Sequence, residues 1–259
     1  MKDKDKKNYG DLYQEMLEKQ GYLFVNDPPA EGLADKYYTY EDYLNWPEDE
    51  RIELIDGKIY YMAAPNQQHQ ELSRRLSSRF DNYLHGKKCD SFSAPFDVRI
   101  DFMIGNESVV QPDLLVVCDK NKLDGRGLNG APDFIIEILS PSNRSHDLVR
   151  KYNKYLEVGV QEYWIVDPLK EAVAVNLLTD DKKQYLTTTF KKGDEIKVDV
   201  LDELTINVTD LFDGYRGKEI VEVETAKLKI ARKMLESGLT VVQISEIIDL
   251  SVAEITKIM

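Results

Sequence analysis

After Pro65, the residues His69, Leu72, Leu76, Phe80, Tyr83 and Leu84 recur at spacings of three and four, which predicts a helix of about 18 residues with one apolar face. The period then changes. Phe96-Asp97-Val98-Arg99-Ile100-Asp101-Phe102 alternates strictly, as a half-buried strand does, whereas 109–118 and 133–139 are more continuously apolar, as central strands are. Pro141 ends the last of these. A second helix is expected from about 145 to 158, closing at Gly159 and leading into the apolar strand Tyr163-Trp164-Ile165-Val166. The order is therefore helix, three strands, helix, strand. A helical crossover between two strands implies a partly parallel sheet, covered on both faces in a three-layer α/β arrangement.

Elements flank this core on both sides. Thr39, with Asp42 three residues later, is an N-cap candidate for a short helix that stops before Pro47. Residues 51–62 read as a hairpin turning at Asp56-Gly57, a dipeptide that accepts the positive φ angles of a type I′ turn. Residues 172–212 are expected to be a meander extending the sheet, with turns at Asp180-Asp181 and Lys192-Gly193-Asp194. From about 222 the pattern is helical: Gly238 ends one helix, and Thr240 with Gln243 and Ser251 with Glu254 form two capping boxes around Asp249-Leu250. Three regions follow, a polar lead-in over 1–36, a main domain over 37–215 and a helical tail over 222–259. The tail resembles a small helix-turn-helix, but its last helix offers DNA only Lys257, so a dimerising role competes with a DNA-reading one.

Composition narrows the class. The hydrophobic content of 42% and moderate Gly and Pro belong to a folded globular protein. The charged N-terminus lacks an apolar leader core, and no stretch reaches the roughly 18 apolar residues of a membrane span. The two cysteines, Cys89 and Cys118, suggest neither a metal cluster nor a disulfide framework. A reducing cytoplasm and no membrane partner are expected. The net charge of −13 disfavours a generic nucleic-acid binder, whose affinity needs Lys and Arg at the contact. Locally the balance reverses: Arg74, Arg75, Arg79, Lys87 and Lys88 on the first long helix and Arg144, Arg150, Lys151 and Lys154 on the second outnumber the acids around them. Phosphate contacts and ordinary solvated faces explain these residues equally.

Two acids stand where packing alone would not tolerate them. Asp113 opens the apolar run after Gln111-Pro112, and Glu137 lies inside Phe134-Ile135-Ile136-Glu137-Ile138-Leu139. On a strand Phe134, Ile136 and Ile138 take one face, and Ile135, Glu137 and Leu139 the other. An unpaired buried carboxylate costs several kcal/mol or takes up a proton, so a metal ion or a cation is expected beside it. Two carboxylates on neighbouring strands can share a divalent cation, and hard oxygen ligands suit Mg²⁺ or Mn²⁺. Such an ion meets the two demands of phosphodiester hydrolysis, an activated water and a stabilised phosphoryl oxygen. The competing readings are a strand-end acid bonded to amides for Asp113 and a metal-free salt bridge to Lys151 for Glu137.

With Pro112-Asp113 and the Glu137 strand in this order, the chain resembles the PD-(D/E)xK nuclease superfamily. More narrowly, Glu53-Leu54-Ile55-Asp56-Gly57, Ala94-Pro95-Phe96-Asp97-Val98, Gln111-Pro112-Asp113, Glu137-Ile138-Leu139-Ser140-Pro141-Ser142 and 159–168 resemble the Uma-two family of restriction-endonuclease-like proteins, over about Thr39 to Phe212. The resemblance implies an α/β restriction-endonuclease-like core with additional β-strands and a helical C-terminal tail. It also implies a Mg²⁺-dependent (or Mn²⁺-dependent) endonuclease acting on DNA, with Asp113 and Glu137 as metal ligands. The superfamily's usual lysine, two residues after the second acid, is Leu139 here. In the resembling family it is thought to migrate to a Lys-x-x-x-Tyr step on the next helix, which matches Lys151 and Tyr155.

Helix geometry supports Lys151 separately. Leu148, Tyr152, Tyr155 and Leu156 define a buried stripe, Lys151 lies on its flank, and Arg150 and Lys154 are expected to point more toward solvent. Lys151 would orient the attacking water or neutralise the scissile phosphate. His69, at the start of the first long helix, is a candidate general base or substrate contact, or a structural histidine. Glu53 is a candidate third acid or a solvated strand carboxylate, and Asp97 is expected to be a plain polar-face residue. Two other classes compete with the nuclease: a non-catalytic scaffold on a degenerate nuclease core, dimeric through 222–259, and a regulator binding DNA through the tail.

Overall fold

The computed structural model describes residues 36–47, 49–100, 107–139, 146–214, 217–248, 250, 252–256 and 258. The expected lead-in, Asp101-Phe102, the stop at Pro141 and the capping box that needs Ser251 fall outside them.

Local chemistry builds the first elements as expected. Helix α1 (Tyr40–Leu44) is capped reciprocally, the Asp42 amide donating to Thr39 Oγ1 at 3.2 Å and the Thr39 amide to Asp42 Oδ2 at 2.8 Å. Strands β1 (Ile52–Ile55) and β2 (Lys58–Tyr61) pair around Asp56 and Gly57, whose φ angles of 50° and 70° are those of a type I′ turn. Helix α2 (Gln67–Leu84) starts at the Asn66 N-cap and buries Leu72, Leu76, Phe80 and Leu84.

Among the strands that follow are β3 (Asp90–Ser93), β4 (Val98–Ile100), β5 (Ser108–Val110), β6 (Leu114–Val117), β7 (Leu128–Asn129), β8 (Phe134–Ile138), β9 (Glu162–Asp167), β10 (Ala172–Leu178) and β11 (Tyr185–Lys191). Six of them form the sheet β11-β10-β9-β8-β6-β3, and a second sheet runs β2-β1-β5-β4-β7. Helix α3 (His146–Val158) crosses over between β8 and β9, which pair parallel, as a helical crossover requires.

The run 109–118 is not one central strand. It divides into β5 and β6, which belong to different sheets, and the chain passes from one to the other at Gln111-Pro112-Asp113. Pro112 has no N–H to give a ladder, so pairing stops there. Asp113 consequently stands at the seam between the sheets. The meander is also corrected: β10 and β11 extend the large sheet, but β12 (Glu195–Lys197) and β13 (Thr205–Asn207) pair only with each other, before α4 (Val208–Phe212).

Strand alternation divides the interior in two. Phe134, Ile136 and Ile138 join Leu72, Leu76 and Phe80 beneath α2, while Ile135 and Leu139 join Tyr152 and Tyr155 of α3 and Ile55, Val98 and Val110 of the smaller sheet. The large sheet is thus covered by α2 on one face and by α3 with the small sheet on the other. In the tail, α5 (Gly217–Glu236), α6 (Val241–Ile248) and α7 (Val252–Thr256) have a core of their own around Ala231, Ile244, Leu250 and Ile255. The Thr240–Gln243 capping box is present there, and Gly238, at φ 88°, follows the end of α5.

Cys89 and Cys118 are joined in a disulfide, which corrects the expectation that they form no disulfide framework. The register Asp90↔Val117 makes them the next cross-strand pair of β3 and β6, a proximity that a separation of 29 residues does not reveal. No described helix is long and apolar enough to cross a membrane.

Glu162 is fully buried on β9, where Trp164 Nε1 donates to its Oε1 at 2.7 Å and the Val200 amide to its Oε2 at 3.0 Å. Burial outweighs these bonds and pushes its pKa up from 4.5 to about 7. The folded protein holds a proton the unfolded chain has lost, so stability falls as pH rises between those values, by up to about 3 kcal/mol. Denaturant melts at the two ends of that range are expected to show this slope in the wild type. In Glu162→Gln the slope flattens, with a lower starting stability because the amide oxygen replaces only one acceptor.

Candidate functional site

The register Leu114↔Ile136 sets Asp113 directly opposite Glu137 across the β6–β8 pair, so both carboxylates leave the same face of the sheet. They line a pocket of about 440 Å³ at the seam, with Glu53 from β1, His69 from α2 and Arg150 and Lys151 from α3. Sequence positions almost one hundred residues apart converge here because the hairpin β1–β2 and α3 close over the end of the large sheet.

Asp113 Oδ2 accepts the Ile138 amide at 2.7 Å and lies 3.1 Å from His69 Nε2. No hydrogen bond from the described residues engages its Oδ1. Glu137 Oε1 accepts from Tyr155 Oη at 2.7 Å and lies 3.2 Å from Lys151 Nζ. The same ammonium is 2.9 Å from Glu53 Oε1, which also accepts the Gln111 amide at 2.7 Å. Lys151, only 3% exposed, therefore bridges two nearly buried carboxylates, Glu53 at 3% and Glu137 at 8%. Burial first, then the negative charges of Glu137 and Glu53, hold the Tyr155 hydroxyl well above its usual pKa, so it remains a donor to Glu137. Among the described residues no group of three or more His, Cys, Asp or Glu side chains is placed to hold a metal ion; Asp113 and Glu137 face each other as a pair.

With this geometry in view, a family model described as "Putative restriction endonuclease", Uma2, matches residues 40–209. The chain belongs to the Uma2 family. It is a member of a restriction-endonuclease-like nuclease family with a mixed α/β core and C-terminal helices. A second model, the C-terminal HTH domain of the Rpn/YhgA-like nuclease family, matches residues 224–259. The uncharacterized protein slr1290 of Synechocystis is 27% identical over 161 residues, 61% of this chain and 83% of that protein. Among solved structures, "a putative nuclease belonging to DUF820" from Anabaena variabilis is similar at 26% identity with a TM-score of 0.55, covering 67% of this chain and 97% of that one.

The remaining candidate residues of this Uma2 chain are arranged as follows. His69 sits in the first turn of α2, its amide donating to the Asn66 cap at 2.9 Å, its Nε2 on Asp113 and its buried Nδ1 without a hydrogen-bond partner among the described residues. Lys154 does not point to solvent: it is 4% exposed and its Nζ lies 2.5 Å from Asp56 and 3.2 Å from Glu157. Arg150 is half-buried, its guanidinium 4.1 Å from the centre of the Tyr60 ring. A helical wheel shows one buried stripe, but the β1–β2 hairpin covers a second flank of α3. Nor is Asp97 a plain surface acid. It accepts from Tyr43 Oη at 2.9 Å and Gln111 Nε2 at 2.8 Å, and so steadies the residue whose amide holds Glu53. Burial and the adjacent Asp97 push the Tyr43 hydroxyl pKa up.

The basic face expected on α2 is partly spent elsewhere. Arg75 donates to the Leu211 and Asp213 carbonyls at 2.9 and 2.7 Å and pairs with Glu71, and Arg79 faces Asp210 at 3.7 Å. Gln111 and Arg51 are the site residues that sequence reasoning missed. The first stands beside the Pro-Asp motif. The second precedes Glu53 by two, and that strand spacing was the available signal.

Proposed function

We propose that this Uma2 protein is a metal-dependent endonuclease that hydrolyses phosphodiester bonds in DNA. The observation that carries the reading is the convergence of Asp113, Glu137 and Lys151 on one solvent-open pocket, with the lysine supplied by the helix after the second acid. Asp113 and Glu137 would hold Mg²⁺ or Mn²⁺. The donor set suits it: two opposed hard carboxylates, one with a disengaged oxygen, are what Mg²⁺ takes alongside waters and substrate phosphates. When bound, such an ion polarises a phosphoryl oxygen and lowers the pKa of a coordinated water.

The chain's own residues would do the rest. Lys151 neutralises charge at the scissile phosphate or orients the attacking water. Glu53, anchored by the Gln111 amide, holds the ammonium in place, and His69 fixes the orientation of Asp113. Residues 37–215 would form the nuclease unit, and 222–259 would join copies of the chain into a homo-oligomer or add DNA contacts. In a plasmid-nicking assay with Mg²⁺, the wild type is expected to cut and purified Asp113→Ala and Glu137→Ala to be inactive. Equal activity in all three would overturn the reading.

One observation favours a second reading, a scaffold on a degenerate core. Lys151 already pairs with both Glu53 and Glu137, and no group of three metal-type ligands forms among the described residues. Calorimetric titration with Mg²⁺ and Mn²⁺ separates the two, since only the nuclease requires binding that Asp113→Ala abolishes.

A further inference from the structure

We infer that the pocket takes a single DNA strand, unpaired at the scissile step, rather than an intact duplex; the choice of nucleic acid as ligand rests on the nuclease reading above. The reacting groups are recessed, with Glu53, Glu137 and Lys151 all under one-tenth exposed, so a phosphate must enter the pocket to reach them. A rigid duplex lies across a surface and buries roughly 1,000–2,500 Å² of protein in doing so. A pocket of about 440 Å³ admits a short length of one strand.

The wall beside the acids is built for such a strand. Glu53↔Tyr60 is a cross-strand pair, so Arg51, Glu53 and Tyr60 share one face of the hairpin. Tyr60 carries the Arg150 guanidinium against its ring, a flat cationic platform of the kind on which an unpaired base stacks. Arg51 is exposed at the pocket and has no acidic partner among the described residues, which leaves its guanidinium available to a phosphate next to the scissile one. A duplex would need a broad basic surface. Arg75 and Arg79 are instead turned to α4, and the chain as a whole carries a charge of −13.

The test is binding of the full-length protein, in EDTA, to a fluorescent single-stranded oligonucleotide and to the matching duplex. The single strand is expected to bind at least tenfold more tightly, with a log–log salt slope of roughly −1 to −2, as about two phosphate contacts give. Arg51→Gln and Tyr60→Leu are each expected to weaken single-strand binding roughly tenfold, while Tyr60→Phe, which keeps the ring, stays near the wild type. Tighter duplex binding, or Arg51→Gln and Tyr60→Leu that bind like the wild type, would overturn the inference and leave hydrolysis intact. Single-strand preference in a protein that cuts no DNA with Mg²⁺ would instead overturn the nuclease reading and leave this one standing.

Discussion

Lys151→Met is expected to lower the free energy of unfolding by roughly 3–5 kcal/mol, the usual cost of removing one partner of a buried ion pair. Its ammonium is shared by Glu53 and Glu137, at 2.9 and 3.2 Å, and all three side chains are nearly inaccessible to water. Methionine fills the same length of stem but leaves two carboxylates facing each other in a low dielectric. One of them is then expected to take up a proton, so the loss shrinks as pH is lowered. The sign follows from linkage: folding now binds a proton the unfolded chain releases, and stability falls with rising pH. Chemical denaturation at pH 5 and pH 8 measures both effects. Adding Glu137→Gln to Lys151→Met is expected to recover part of the stability, because a neutral amide needs no counter-charge. A single variant as stable as the wild type at pH 8 would show that the three groups are not electrostatically coupled.

Asp113→Asn is expected to behave in the opposite way, folding nearly normally and losing at least about a hundredfold in DNA cleavage, the scale on which removing one electrostatic group at a reacting centre is felt. The amide oxygen can still accept the Ile138 amide, now made at 2.7 Å, so the strand end keeps its bond. What disappears is the negative charge beside Glu137, and with it half of the proposed metal set. Asp113→Ala would remove the acceptor too and leave a buried N–H at a cost of about 1–3 kcal/mol, which confuses folding with chemistry. Thermal melts and nicking rates of the asparagine variant separate them. An Asp113→Asn enzyme that cuts at the wild-type rate would remove Asp113 from the reaction.

The two variants test different links, because Lys151→Met removes the charge shared by Glu53 and Glu137, whereas Asp113→Asn keeps the strand-end bond and removes only a proposed metal ligand. That distinction was only partly visible in the chain. Glu137 between apolar neighbours announces a buried charge wherever it is met, since no packing argument tolerates it. Lys151, by contrast, is one of two lysines on an amphipathic helix. Lys154, three residues on, reads as solvent-facing and is just as buried.

Short-range patterns determined a good deal by themselves. Reciprocal capping at Thr39, the Asp56-Gly57 turn, the α2 stripe and the alternation that divides Phe134–Ile138 between two cores all follow from forces that act within a few residues. Five ordered motifs likewise carried the family before any fold was in view. Only the tertiary structure decided which strands share a sheet. Pro112 breaks one apolar run into strands of two sheets, Cys89 meets Cys118 through a register no local pattern encodes, and the hairpin that lies over α3 turns Lys151 inward between Glu53 and Glu137. The physical reason is the same in each case: burial and charge pairing are set by what arrives from distant parts of the chain, and periodicity reports only the face a segment offers, never what will cover it.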